Sequence, residues 1–149
     1  MKVYLDNAAT TPIDQEVLKT MFSVMENHYG NPSSIHSHGR EVRTLVEKAR
    51  KSVAQILNTA PANIFFTSGG TEADNMAIRC AIEDFGIKHA ITSKIEHHAV
   101  GHTLVHLEQQ GKIKLSYVDV DEKGNINYHH LEELLKSNER SLVSLMHAN

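Results

Sequence analysis

Two short stretches of this chain carry residue types that could do chemistry on an anionic ligand. The first is Thr67-Ser68-Gly69-Gly70-Thr71, set between the apolar run Ile64-Phe65-Phe66 and a segment of helical spacing from Ala73 to about Phe85. Paired glycines let the backbone approach a ligand closely. The first amides of a helix lack internal partners, and the helix dipole favours negative charge there. With the Thr71 hydroxyl as a further donor, Gly70 and Thr71 describe a phosphate cup. The same residues also describe a tight turn with Thr71 as an ordinary helix cap. The pattern is neither G-x-G-x-x-G nor a P-loop, because the closing Lys-Ser/Thr is missing. Glu72 adds negative charge beside the glycines and suits an anion site only if it points outward.

The second stretch is Glu96-His97-His98, which follows an extended segment ending near Thr92. That places His97 at the same sheet edge as Thr71. A strand-end histidine beside a phosphate-bearing ligand can stack on its ring and move protons near neutrality. The plain alternative is a surface or capping histidine. His98, His102 and His106 follow at helical spacing, a face that could hold a metal. Val100, Leu104 and Leu107 take the other side, so a solvated histidine stripe is expected and no metal site is assigned. His28, His36 and His38 flank the turn Asn31-Pro32-Ser33-Ser34, either lining a site or decorating a surface loop. His129 and His130 read as surface residues. Cys80 lies among apolar neighbours and reads as a small hydrophobe rather than a nucleophile.

The elements that must position these residues follow from spacing. Asp14 can cap a helix over about 14–26, with Leu18, Met21, Phe22 and Met25 on one face. A second helix is predicted over roughly 37–58. Strands are predicted at 64–66, 89–91, 114–118 and 141–145, with a short extended segment at 3–5. Helices are predicted at 73–85, with Met76, Ala77, Cys80 and Ala81 as the buried face, at 99–110 ending on Gly111, and at 129–137. Strand and helix alternate from residue 64 onward, so the fold class is α/β with a mostly parallel sheet flanked by helices. Residues 142–149 read as a strand with nothing after it, so an unfinished sheet with exposed apolar helix faces is expected.

Composition narrows the function classes. Fifteen basic and eighteen acidic residues leave a charge of −3 over 149 residues. A pI near 6.4 speaks against a basic nucleic-acid or anionic-membrane binder. One cysteine excludes an internal disulfide framework. No apolar run suggests a signal peptide or a membrane span, so a cytoplasmic setting is expected.

Several blocks appear in order: Tyr4-Leu5-Asp6-Asn7-Ala8-Ala9-Thr10-Thr11-Pro12, Gly30-Asn31-Pro32-Ser33-Ser34-Ile35-His36, Thr67-Ser68-Gly69-Gly70-Thr71-Glu72, Glu96-His97-His98-Ala99-Val100 and Met146-His147-Ala148-Asn149. Together they resemble the cysteine desulfurases of the NifS/IscS type, class V aminotransferase-like enzymes that use pyridoxal phosphate (PLP). The resemblance covers essentially the whole chain. It implies the large domain of the aspartate-aminotransferase-like fold, PLP fold type I, with the sheet incomplete at the C-terminus. Residues 1–13 would form an N-terminal arm near the active site. Residues 14–149 would form the N-terminal part of the PLP-binding large domain, truncated after Asn149.

The resemblance also implies conversion of L-cysteine to L-alanine by a homodimer. Sulfur would pass as an enzyme persulfide to an acceptor or scaffold protein, for iron–sulfur clusters or tRNA thiolation. Gly70 and Thr71 match the pair that binds the PLP phosphate. His97 matches the histidine that stacks on the pyridine ring and shuttles protons. Asn149 looks like the first of two adjacent asparagines, of which the second contacts the ring. The family's covalent lysine in a Ser-x-His-Lys block, its Asp at the pyridine nitrogen, its nucleophilic Cys and its substrate-binding Arg have no counterpart here. The chain alone is therefore expected to be inactive. A selenocysteine lyase, another enzyme of the same fold, or a non-catalytic assembly module are the alternatives.

Overall fold

The computed structural model describes residues 1–136 and 140–147. The chain divides into two units, residues 1–66 and 67–149, with the boundary at the start of the Thr67-Ser68-Gly69-Gly70 segment.

The first unit is helical. Helix α1 spans Gln15–Asn27 and α2 spans Ser37–Ile56, and a single 3-10 turn covers Pro61–Asn63. Asp14 starts α1 as expected, because its Oδ1 accepts from the Glu16 amide at 2.8 Å. His36 plays the same part for α2, its Nδ1 accepting from the Gly39 amide at 3.4 Å. The connection between the two helices is tightly folded. A Cβ on Gly39 would lie 2.4 Å from the Ser34 carbonyl oxygen, and one on Gly30 would lie 2.5 Å from that of His38. Only glycine fits at these two close approaches.

One expectation fails in this unit. Residues 64–66 form no strand; the Arg50 guanidinium instead donates to the Ile64 carbonyl and lies 4.9 Å from the centre of the Phe66 ring. An apolar run becomes a strand only when a neighbour completes its hydrogen bonds, and here a cation from α2 takes the carbonyl. The short segment at 3–5, expected only to be extended, lies outside the sheet. The apolar face of α1 forms as a face but stays uncovered: Phe22 and Met25 are 68% and 74% exposed.

The second unit is built around three parallel strands in the order β2-β1-β3. Helix α3, Gly70–Arg79, leads into a wider π-type turn at Cys80–Asp84. Strand β1 (His89–Ser93), α4 (His98–Gln109), β2 (Lys114–Val118), α5 (Tyr128–Lys136) and β3 (Ser141–Val143) follow. Parallel neighbours need a crossover, and α4 and α5 precede β2 and β3 as that requirement predicts. Strand β1 is central and buried along its whole length, which explains why its residues do not alternate between apolar and polar. Gly111, at φ +68°, ends α4, with the Lys112 amide returning to the Leu107 carbonyl at 3.0 Å.

The core gathers Ile78 and Ile82, Val100, Leu104 and Leu107 of α4, and Ala90, Ile113 and Leu115 around the strands. Leu104 and Leu107 are fully buried, each worth about 1.5–3 kcal/mol of transfer free energy. The predicted inner face of the 73–85 helix is thus displaced. Ile78 and Ile82 are buried, whereas Met76 and Ala77 are exposed. The described sheet has three strands rather than four, and β3 is shorter than 141–145. Its two outer strands have no further neighbour among the described residues, in keeping with an unclosed sheet.

His89 ties the three strands at the amino end of the sheet. Its Nδ1 is 2.7 Å from Ser141 Oγ on β3, and its Nε2 is 2.9 Å from Ser116 Oγ on β2. Burial first, and the Lys114 cation second, hold this imidazole below the usual histidine range.

Candidate functional site

Helices α1 to α4 begin in two different ways. The amino ends of α1, α2 and α4 are each closed by a side chain, from Asp14, His36 and His97 respectively. The amino end of α3 has none, and its first residue, Gly70, follows a glycine in the N-cap position. Thr71 is therefore not the cap of this helix but lies inside its first turn. Gly69 and Gly70 are exposed, and a Cβ built on either would meet nothing within 4 Å. The one acid in this turn, Glu72, is engaged elsewhere: its Oε2 accepts from both the Ser68 hydroxyl and the Ser68 amide at 2.6 Å. Those two bonds, the hydroxyl's first, hold its carboxyl below the ordinary carboxylate range. The result is a helix terminus with donors free to receive an anion.

His97 lies between β1 and α4, at the carboxyl edge of the central strand, where ligands of open α/β sheets collect. It is exposed, and its Nδ1 accepts from the Ala99 amide at 3.1 Å. The capping alternative is realised, and it has a chemical consequence. With Nδ1 accepting, the ring hydrogen belongs on Nε2, which has no partner among the described residues.

Two residues that the sequence reading did not single out join these places. Asn75, one turn into α3, donates from Nδ2 to the Thr71 carbonyl at 2.9 Å. The Thr103 hydroxyl of α4 reaches both Asn75 Oδ1 at 2.9 Å and the Ala99 carbonyl at 2.7 Å. An asparagine inside a helix, with a threonine at the matching turn of the next, was the available signal, since Asn is a poor helix former unless its amide is used. A second pair lies nearby: Ser144 Oγ, just after β3, donates to Glu96 Oε1 at 3.0 Å. Asp74, Ile78, Val100, Leu142 and Ser144 line a pocket of about 220 Å³ between α3, α4 and the end of β3.

The other candidates fall outside this arrangement. His98 and His102 stack at 5.0 Å and, with His106, form the exposed stripe expected. No group of three or more ligand side chains suited to a metal occurs among the described residues. His129 and His130 face Glu133 and Asp119 at 3.6 and 2.8 Å. The Cys80 thiol is pushed up by a hydrogen bond to Asp84, which disfavours the thiolate. Asn149 lies outside the described residues. No described helix is long and apolar enough to cross a membrane.

An α/β unit with an open helix terminus and a strand-end histidine defines a class of ligand site rather than a reaction. Comparison with known proteins supplies the family. Residues 3–149 match the sequence profile of "Aminotransferase class-V", and the chain belongs to that family. The cysteine desulfurase IscS of Dictyoglomus turgidum is 45% identical over 151 residues, covering 99% of this chain and 38% of that protein. Among solved structures, a NIFS-like protein superimposes with a TM-score of 0.90 at 42% identity, covering 100% of this chain and 41% of its own. DndA from Streptomyces lividans does so with a TM-score of 0.77 at 38% identity, covering 99% and 41%. The chain thus spans about two fifths of the length of the relatives it matches.

Proposed function

We propose that this chain supplies the cofactor-phosphate side of a PLP-dependent cysteine desulfurase. The complete enzyme would turn L-cysteine into L-alanine and pass the sulfur, as a persulfide, to an acceptor or scaffold protein. The observation that carries the reading is the open amino end of α3 in a chain of this family, where three other helices are capped by their own side chains.

The donor set suits a phosphate dianion. Gly70, Thr71 and Glu72 contribute amides, Thr71 contributes a hydroxyl with no partner among the described residues, and Glu72 is drawn to Ser68. His97 would stack its ring on the pyridine and hold a proton at Nε2, while Nδ1 stays on the Ala99 amide. When bound, PLP supplies the electron sink for the reaction. The part proposed for these residues is to seat and orient the cofactor. A homodimer would cover apolar surface such as that of α1, and the setting would be cytoplasmic.

Calorimetric titration of the 149-residue chain with PLP tests the reading. Saturable binding that inorganic phosphate displaces is expected. Thr71→Ala should weaken it by about tenfold, the worth of one charge-assisted hydrogen bond of ~1–2 kcal/mol. Unchanged affinity in Thr71→Ala would remove the phosphate cup.

A further inference from the structure

We propose that Asn75 and Thr103 are positioning residues that set the spacing between the phosphate-binding end of α3 and the ring of His97. The inference rests on the cofactor reading above. The connection is continuous. Asn75 Nδ2 holds the Thr71 carbonyl, and the single hydrogen of the Thr103 hydroxyl is shared, as a three-centre bond, between Asn75 Oδ1 and the Ala99 carbonyl. The Ala99 amide in turn holds His97 Nδ1. Thr103 is 7% exposed and Asn75 is partly buried, so water competes poorly for these bonds. Apolar contacts among Ile78, Val100 and Leu104 hold the two helices together, but such contacts do not fix sliding along the axes. Directional bonds between the two helices do.

A ligand with a phosphate at one end and a ring at the other gains from two contacts held at the right separation. Asn75→Leu keeps the size of the side chain and removes both bonds. The test measures affinity for PLP, for inorganic phosphate and for pyridoxal, each with the full chain. Wild type should prefer PLP over either part. Asn75→Leu should lose about tenfold of that preference while phosphate affinity stays within about twofold. Thr103→Val should act in the same direction, and Thr103→Ser, which returns the hydroxyl, should restore the preference. A folded Asn75→Leu protein with the preference intact, or with PLP and phosphate weakened in equal proportion, would overturn the proposal.

A wild-type chain that binds no PLP would remove the cofactor reading but not decide the brace. Hydrogen exchange then decides it. Asn75→Leu should speed exchange at Ala73 and Gly101 together, one in each helix's first turn, by about tenfold. Acceleration at one helix alone, or at neither, would refute it.

Discussion

The amino ends of α3 and α4 are entered and finished differently: the backbone stands at φ 167°, ψ 178° at Gly69 and at φ −60°, ψ 142° at His97. At α4 an imidazole nitrogen takes the Ala99 amide, so the terminus is satisfied within the chain. At α3 two glycines precede the helix and no side chain returns to it. With glycine at its N-cap position, the open terminus costs the fold only about 0.3 kcal/mol relative to a capped one. The difference teaches that His97 and Gly70 divide the work: one end is completed by a group that also presents a ring, and the other is completed by a ligand.

The largest effect should come from breaking what holds both ends together. Leu104 is fully buried between the two helices and the strands. Leu104→Ala should lower stability by about 2–5 kcal/mol in urea denaturation and weaken PLP binding with it. Loss of affinity without loss of stability would mean that the core does not govern the site.

Next in size is the cap itself. His97→Ala should cost about 1 kcal/mol of stability. His97→Asn returns an acceptor to that position without the ring. Stability should recover in His97→Asn, and PLP affinity should stay low. Joint recovery of both would reduce His97 to a cap.

The smallest effect lies at the opposite edge of the sheet, where His89 bridges three strands. Its pKa is lowered in the folded chain, so the unfolded chain binds more protons on acidification. The stabilising contribution is present at and above neutral pH. It is lost as pH falls from the ordinary histidine value of about 6.5 toward the folded value. His89→Asn should flatten that slope in thermal melts between roughly pH 7 and pH 5, with PLP affinity at neutral pH unchanged. A slope identical to wild type would assign the pH dependence to other groups.

Local signals were the legible ones. Asp14 as a cap, Gly111 as a helix stop and the inward-facing Val100, Leu104 and Leu107 each depend on neighbours within one or two turns. The placement of His97 just past the carboxyl end of β1 followed from strand–helix alternation, whereas the strand expected before Thr71 does not form, so that alternation does not put Thr71 at the same sheet edge. Ile64-Phe65-Phe66 was misread because strand formation depends on a pairing partner, which no local pattern supplies. The inner face of α3 was misread because Met76 and Ala77 sit at helical spacing as well as Ile78 and Ile82 do, and only packing selects between the two faces. Asn75 and Thr103 escaped notice for a similar reason. Each is an ordinary polar residue until the two helices are laid side by side.

The comparison of the two helix ends is most directly tested by following backbone amide resonances while inorganic phosphate is added to the chain. The account predicts large, saturable shifts at Gly70, Thr71 and Glu72, with Ala99 and Val100 nearly still. Shifts centred on α4, or spread evenly over both termini, would contradict it.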